Sequence, residues 1–153
     1  MHISNNRNAF TMIELIFVIV IIGILASIAI PRLAATRMDA KLSTKAQNIM
    51  TAATEIAAYA VSQGQTEANL SDMSNSLKNM IQQHEAVDIG NYRADIKVED
   101  SSDCIILRID NNGTETETLV IAHGNTNEYC DRLRTLVDSD AFPLPLRGTI
   151  VEY

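Results

Sequence analysis

The chain has 153 residues, 46% of them apolar and 20% charged, with a formal net charge of −7 at pH 7. That length allows one domain with a modest core. The acidity, with no polybasic run, argues against a broad nucleic-acid-binding face, which needs clustered Lys and Arg.

The first nine residues, MHISNNRNA, are polar, carry Arg7 and end on the small Ala9. From Phe10 to Pro31 the chain reads FTMIELIFVIVIIGILASIAIP. At a rise of about 1.5 Å per residue such a helix spans roughly 33 Å, enough to cross a hydrocarbon core of about 30 Å. Glu14 is the single ionisable residue within it. A carboxylate in that setting costs on the order of 2.5–3.5 kcal/mol on insertion scales, so Glu14 calls for a partner. A secretory signal puts its small-residue cleavage site after the apolar run, whereas Ala9 stands before it. Cutting between Ala9 and Phe10 would keep the helix and create an α-amine four residues ahead of Glu14. The amine and the carboxylate of neighbouring copies would then neutralise each other.

Ala9, Phe10, Thr11, Glu14 and Pro31, with an unbroken aliphatic run between the last two, resemble the N-terminal signature of type IV pilins and of the pseudopilins of type II secretion and DNA-uptake systems. The likeness covers roughly the first 40 residues, and Ala9 stands where that family usually has Gly. The resemblance implies cleavage after Ala9 by a prepilin peptidase, N-methylation of Phe10, and storage of the subunit in the inner membrane as a single-pass protein. It further implies that the helix packs into a filament of this and other pilins or pseudopilins, driven by a platform protein and a cytoplasmic ATPase. Arg32, Arg37, Lys41 and Lys45 follow the apolar run, so a positive-inside count would leave the head in the cytoplasm. The resemblance implies the opposite topology, with the head periplasmic.

Beyond Pro31, which is expected to kink the helix, Leu42, Ala46, Ile49, Ala53, Ile56 and Ala60 form one stripe and carry the helix to about Ser62. Gly64 supplies the stop. The expected organisation is a leader over 1–9, a membrane and filament-core helix over 10–31, its amphipathic continuation over 32–63, and a globular head over 64–153. A second helix is predicted from Ser71, as N-cap, to about His84, with Met73, Leu77, Met80 and Ile81 on one face. After the turn-rich Asp88-Ile89-Gly90-Asn91 the period becomes two. Strands are expected over 93–99, 104–110 and 117–122, with a tight hairpin at Asn111-Asn112-Gly113. Asn112-Gly113-Thr114 and Asn69-Leu70-Ser71 also match the glycosylation sequon. Asn125 or Asn127 caps a third helix running to about Val137, whose Tyr129, Cys130, Leu133, Leu136 and Val137 share a side. Gly148 to Tyr153 reads as a closing strand. The fold class is α+β, with about four antiparallel strands packed on the long helix, and the pilin-like αβ-roll implied by the resemblance is compatible with it.

The sequence yields few candidates for chemistry in the head. Cys104 and Cys130 are two buried free thiols, a metal-binding pair with His123, or a disulfide joining the second strand to the following helix. Cys104, His123 and Asp131 lack any local catalytic motif. Asp138-Ser139-Asp140 is too sparse in oxygen donors for calcium and reads as a solvated turn. His84 reads as a helix-end residue rather than a ligand. No cofactor and no metal is expected, and the chain reads as a structural subunit, not an enzyme. Arg132, Arg134 and Arg147 are the one small basic group through which a nucleic acid would be contacted.

Overall fold

The computed structural model describes residues 10–99 and 101–147, with Ser101 and Ser102 described by their backbone alone. The expected leader over 1–9, including Ala9, and the expected closing strand at 148–153 lie outside them. The chain divides into two compact units, Met1–Ala40 and Lys41–Tyr153. Helix α1, Met12–Gln63, begins in the first and ends in the second.

In the second unit, α1 buries Leu42, Lys45, Ala46, Ile49, Ala52, Ala53, Ile56 and Ala60. The expected stripe is all there, broadened by Ala52 and by one lysine. Ala at four of these positions brings the helix axis close to the layer beneath. That layer is an antiparallel sheet in the order β1-β2-β3-β4-β5, made of Ala86–Gly90, Arg93–Val98, Ser101–Asp110, Thr118–His123 and Leu144–Pro145. Alternation sends Ala94, Ile96 and Val98, Ile105, Leu107 and Ile109, and Leu119 and Ile121 into the core. Register keeps these rows aligned: Ile96 faces Ile105, Ala94 faces Leu107, and Leu107 faces Ile121. Among the described residues the sheet has five strands, close to the about four expected.

The extra strand at the front is β1. Asp88 to Gly90 look like punctuation in the sequence, yet they pair with β2, and the turn falls at Asn91-Tyr92. Both residues have positive φ, 52° and 62°, as a two-residue hairpin with the right twist requires. The tight hairpin expected at Asn111-Asn112-Gly113 is instead a longer connection between Asp110 and Thr118. There Asn111 and Gly113, not Asn112, take positive φ.

Ser71 does not cap the second helix. A short 3-10 turn, Leu70–Asp72, comes first, and α2 spans Asn75–Gln82 with Ser74 as its cap, accepting from the Leu77 N–H. Met73, Leu77 and Met80 are buried as expected, Ile81 is half-buried, and His84 lies past the helix, exposed, with φ 60°. Helix α3, Glu128–Leu136, is capped by Asn127, whose side chain accepts from the Cys130 N–H at 2.6 Å. Cys130, Leu133 and Val137 point inward, while Tyr129 and Leu136 remain exposed on its flank. Gly64 ends α1 with φ 68°, its N–H donating to the Ala60 carbonyl at 2.9 Å.

Candidate assembly segment and the polar contacts of the head

The candidate site begins where α1 begins. Thr11 precedes the first helical residue, and its Oγ1 accepts from the Glu14 N–H at 3.4 Å. In return Glu14 Oε2 accepts from the Thr11 N–H at 3.5 Å and from the Thr11 hydroxyl at 3.4 Å. This reciprocal pair is a capping box, T-x-x-E, and it satisfies donors that an α-helix leaves open in its first turn. Glu14 also sits at the positive end of the helix dipole. Its carboxylate is therefore held locally, yet it remains exposed and able to accept from another donor.

Around and beyond Glu14 the surface is apolar on every side. Large side chains from Phe10 to Leu33 are exposed, ranging from 47% at Ile21 to 83% at Phe10. A helix apolar all round has its proper environment outside its own chain, in lipid or among other helices. It is long and apolar enough to cross a membrane. Its polar side chains close on the helix itself: the Ser27 hydroxyl donates to the Ile24 carbonyl at 2.7 Å and the Thr36 hydroxyl to the Arg32 carbonyl at 2.9 Å. Helical hydrogen bonding continues on both sides of Pro31. Having no N–H, Pro31 leaves the Ser27 carbonyl without its usual donor.

The sequence flags Glu14 as the one acid of an apolar run and Thr11 through the family resemblance alone, although T-x-x-E ahead of such a run is itself a helix-start signal. Phe10, Thr11, Glu14 and Pro31 all lie on this one segment, and the paired thiols lie in the other unit.

In the head, Cys104 of β3 and Cys130 of α3 form a disulfide, with Cα atoms 5.1 Å apart. Both are fully buried. With its sulfur committed to that bond, Cys104 has no thiolate for catalysis or for a metal shared with His123. Asp131 is paired with Arg134 at 3.0 Å. Asp138 and Asp140 are exposed, and no group of three or more His, Cys, Asp or Glu among the described residues is placed to hold a metal ion.

The three arginines do not make a free basic tip. Arg134 donates to the carbonyls of Gly124 and Asn125, at 2.8 and 2.5 Å. Arg132 lies 3.7 Å from Glu128. Arg147 donates to Glu117 at 2.8 Å and to the Gly64 carbonyl at 2.9 Å. Glu117, only 1% exposed, also accepts from the Thr66 hydroxyl and the Gly113 N–H, so three chain segments meet at one carboxylate.

Two further carboxylates go unmarked by any sequence motif. Glu55 of α1 accepts from the hydroxyls of Ser74 and Ser76, at 2.7 and 3.0 Å, and from the Ser76 N–H at 2.9 Å. It thereby fastens the start of α2 to α1. Burial acts to raise the Glu55 carboxyl, but the hydrogen bonds from Ser76, Ser74 and Asn75 outweigh it and hold the group below its ordinary value. Asp95, buried on the outer face of β2, is gripped by Arg93 at 2.7 and 3.1 Å. Its neighbour Asp103 is pushed up, first by burial and then by hydrogen bonding and repulsion with Asp95, against the pull of Arg93 and Lys97. Lys45 is the buried cation of the core. It donates to the Lys97 carbonyl at 2.8 Å and lies 3.3 Å from Glu85.

Residues 4–30 match the family model described as the prokaryotic N-terminal methylation motif. This is the prepilin-type signature shared by type IV pilins and pseudopilins. No curated protein and no solved structure gives a significant match to the chain.

Proposed function

We propose that this chain is a structural subunit of a filament, a type II secretion pseudopilus or a type IV pilus, assembled from the inner membrane. The observation that carries the reading is Glu14. It is the single ionisable residue of the 10–31 stretch, whose large apolar side chains are all exposed, and it lies within the methylation motif. A prepilin peptidase removes residues 1–9 and leaves Phe10 as an N-methylated amino terminus. The helix then holds the protein in the bilayer as a single span, N-terminus cytoplasmic and head periplasmic. On assembly, driven by a platform protein and its ATPase, the helix exchanges lipid for other copies, and Glu14 receives the Phe10 amine of a neighbouring subunit. Pairing offsets the cost of holding each charge in apolar surroundings and sets the axial register between subunits. A type IV pilin-like subunit acts by assembling, not by catalysis.

A DNA-uptake pseudopilin would share every one of these steps, and a membrane-tethered module that never polymerises would share only the span. The engagement of Arg132, Arg134 and Arg147 within the head favours protein partners over nucleic acid for this subunit. Mass spectrometry of the protein isolated from its native membrane tests the reading. An N-methylated Phe10 at the start of the chain is the expected result, and an intact Met1 would overturn it.

A further inference from the structure

We infer that Asn112 is a site of spontaneous deamidation, which turns the β3–β4 loop into an internal clock. Succinimide formation requires the peptide nitrogen of the following residue to reach the asparagine Cγ, and a side chain on that residue obstructs the approach. Asn112 is the one asparagine in the sequence followed by glycine. Both residues are exposed, Gly113 has φ 75°, and nothing lies within 4 Å of where its Cβ would be. The chain is therefore free to turn at this step, as only glycine allows without strain.

The loop prepares the reaction further. The Asn111 carbonyl is fixed by the Thr114 hydroxyl at 2.7 Å and the Thr114 N–H at 3.1 Å, which braces the turn on either side of the reacting step. The Asn112 carboxamide has no hydrogen-bond partner among the described residues, so nothing withholds it. By contrast, the Asn69 carboxamide donates to Asp72 at 3.4 Å and is followed by the fully buried Leu70. Asn91 is followed by Tyr92.

In the reaction the Gly113 nitrogen bonds to Asn112 Cγ. The bond from Cγ to the amide nitrogen breaks, and ammonia leaves carrying the Gly113 proton. Water then opens the ring on either side, giving aspartate or isoaspartate. Each product adds one negative charge to a chain whose formal charge is already −7. The isoaspartyl form also inserts a methylene into the backbone. While the ring is closed Gly113 has no hydrogen to donate, so Glu117 loses the contact it makes there at 3.3 Å. The conversion thus acts on the junction that also holds Thr66 and Arg147.

The test uses the full chain in detergent, incubated at neutral and at mildly alkaline pH, then digested and analysed by mass spectrometry, with isoaspartyl methyltransferase labelling as a second readout. The Asn112 peptide is expected to gain the mass of amide-to-acid conversion ahead of every other asparagine peptide, faster at the higher pH. Methyl labelling is expected to rise with it. Asn112→Gln, conservative at an exposed position, is expected to abolish both. An Asn112 peptide that stays amidated as long as the Asn69 peptide would overturn the inference. So would labelling that survives Asn112→Gln, or an Asn112 peptide from native membranes that carries a sugar mass in place of the acid.

Discussion

Residues 12–33 and residues 41–63 belong to one helix and draw on much the same aliphatic side chains, yet they meet opposite surroundings. In the first stretch Ile19, Ile22 and Leu25 are more than half exposed. In the second, Leu42, Ile49 and Ile56 are at most 1% exposed. The amphipathic half spaces its large residues with Ala, Thr, Ser and Gln, so that one stripe is apolar and a single sheet can cover it. The first half leaves no wet face. Its large side chains from Phe10 to Leu33 all stay exposed, and its one carboxylate is held only by Thr11 among the described residues. The packed core therefore lies in residues 41–147, and under the proposed function association rests on residues 10–33.

Substitutions that separate the two properties test this division. The largest effect is expected from Glu14→Ala or Glu14→Val: subunits remain in the membrane, but the sedimentable filament fraction is nearly lost while the head melts at its normal temperature. Filaments formed at normal yield by either variant would break the comparison at its centre. Next comes a core pair. Ile56→Ala removes a fully buried side chain and is expected to cost about 2–5 kcal/mol of head stability, read from denaturant unfolding. Ile22→Ala, in the exposed half of the same helix, should leave that unfolding curve unchanged.

The disulfide belongs wholly to the head. Replacing both Cys104 and Cys130 by Ser is expected to cost about 3.5 kcal/mol, since the bond closes a loop with a sequence separation of 26. Reduction of the wild-type protein should reproduce the loss, and the melting midpoint of the head reports both.

The smallest effect is expected at Glu55. Glu55→Gln removes a carboxylate that accepts three hydrogen bonds at half-buried geometry, for about 1 kcal/mol at neutral pH. Its folded carboxyl titrates below the unfolded value, so its contribution is complete above the ordinary carboxylate range and fades as pH falls through the folded value. Asp103 has the opposite sign. Its raised value means that protonation adds stability as the pH falls through it. Melting curves across acidic pH should therefore show Glu55→Gln flattening the acid loss and Asp103→Asn removing the opposing gain.

Residues 10–63 were largely legible because periodicity and hydropathy act over long runs. The stripe from Leu42 to Ala60, the stop at Gly64 and the Asn127 cap all follow from local rules. Asp88 to Gly90 show where local rules fail. Turn-forming residues were held in a strand because β2 supplies the hydrogen bonds and Asn91-Tyr92 turns the chain instead. Ser71 and Ser74 offer the same capping chemistry three residues apart. The choice between them goes to Ser74, whose hydroxyl reaches Glu55 across 19 positions while also capping Leu77. Glu117 and Arg147 show the same limit, because a pair 30 residues apart leaves no periodic trace. At the candidate site, the one acid in an apolar helix is conspicuous, but its hydrogen bonds to Thr11 emerge only with the backbone in place.

The contact between Arg147 and the Gly64 carbonyl closes a loop of 83 positions. Contacts of such range tend to form late, because loop closure must precede any reward from them. Until then β4 is a bare sheet edge, since among the described residues its outer neighbour is the two-residue strand Leu144–Pro145. Bare edges recruit strands from other chains. Sealing that edge within the chain therefore competes with joining a neighbour's.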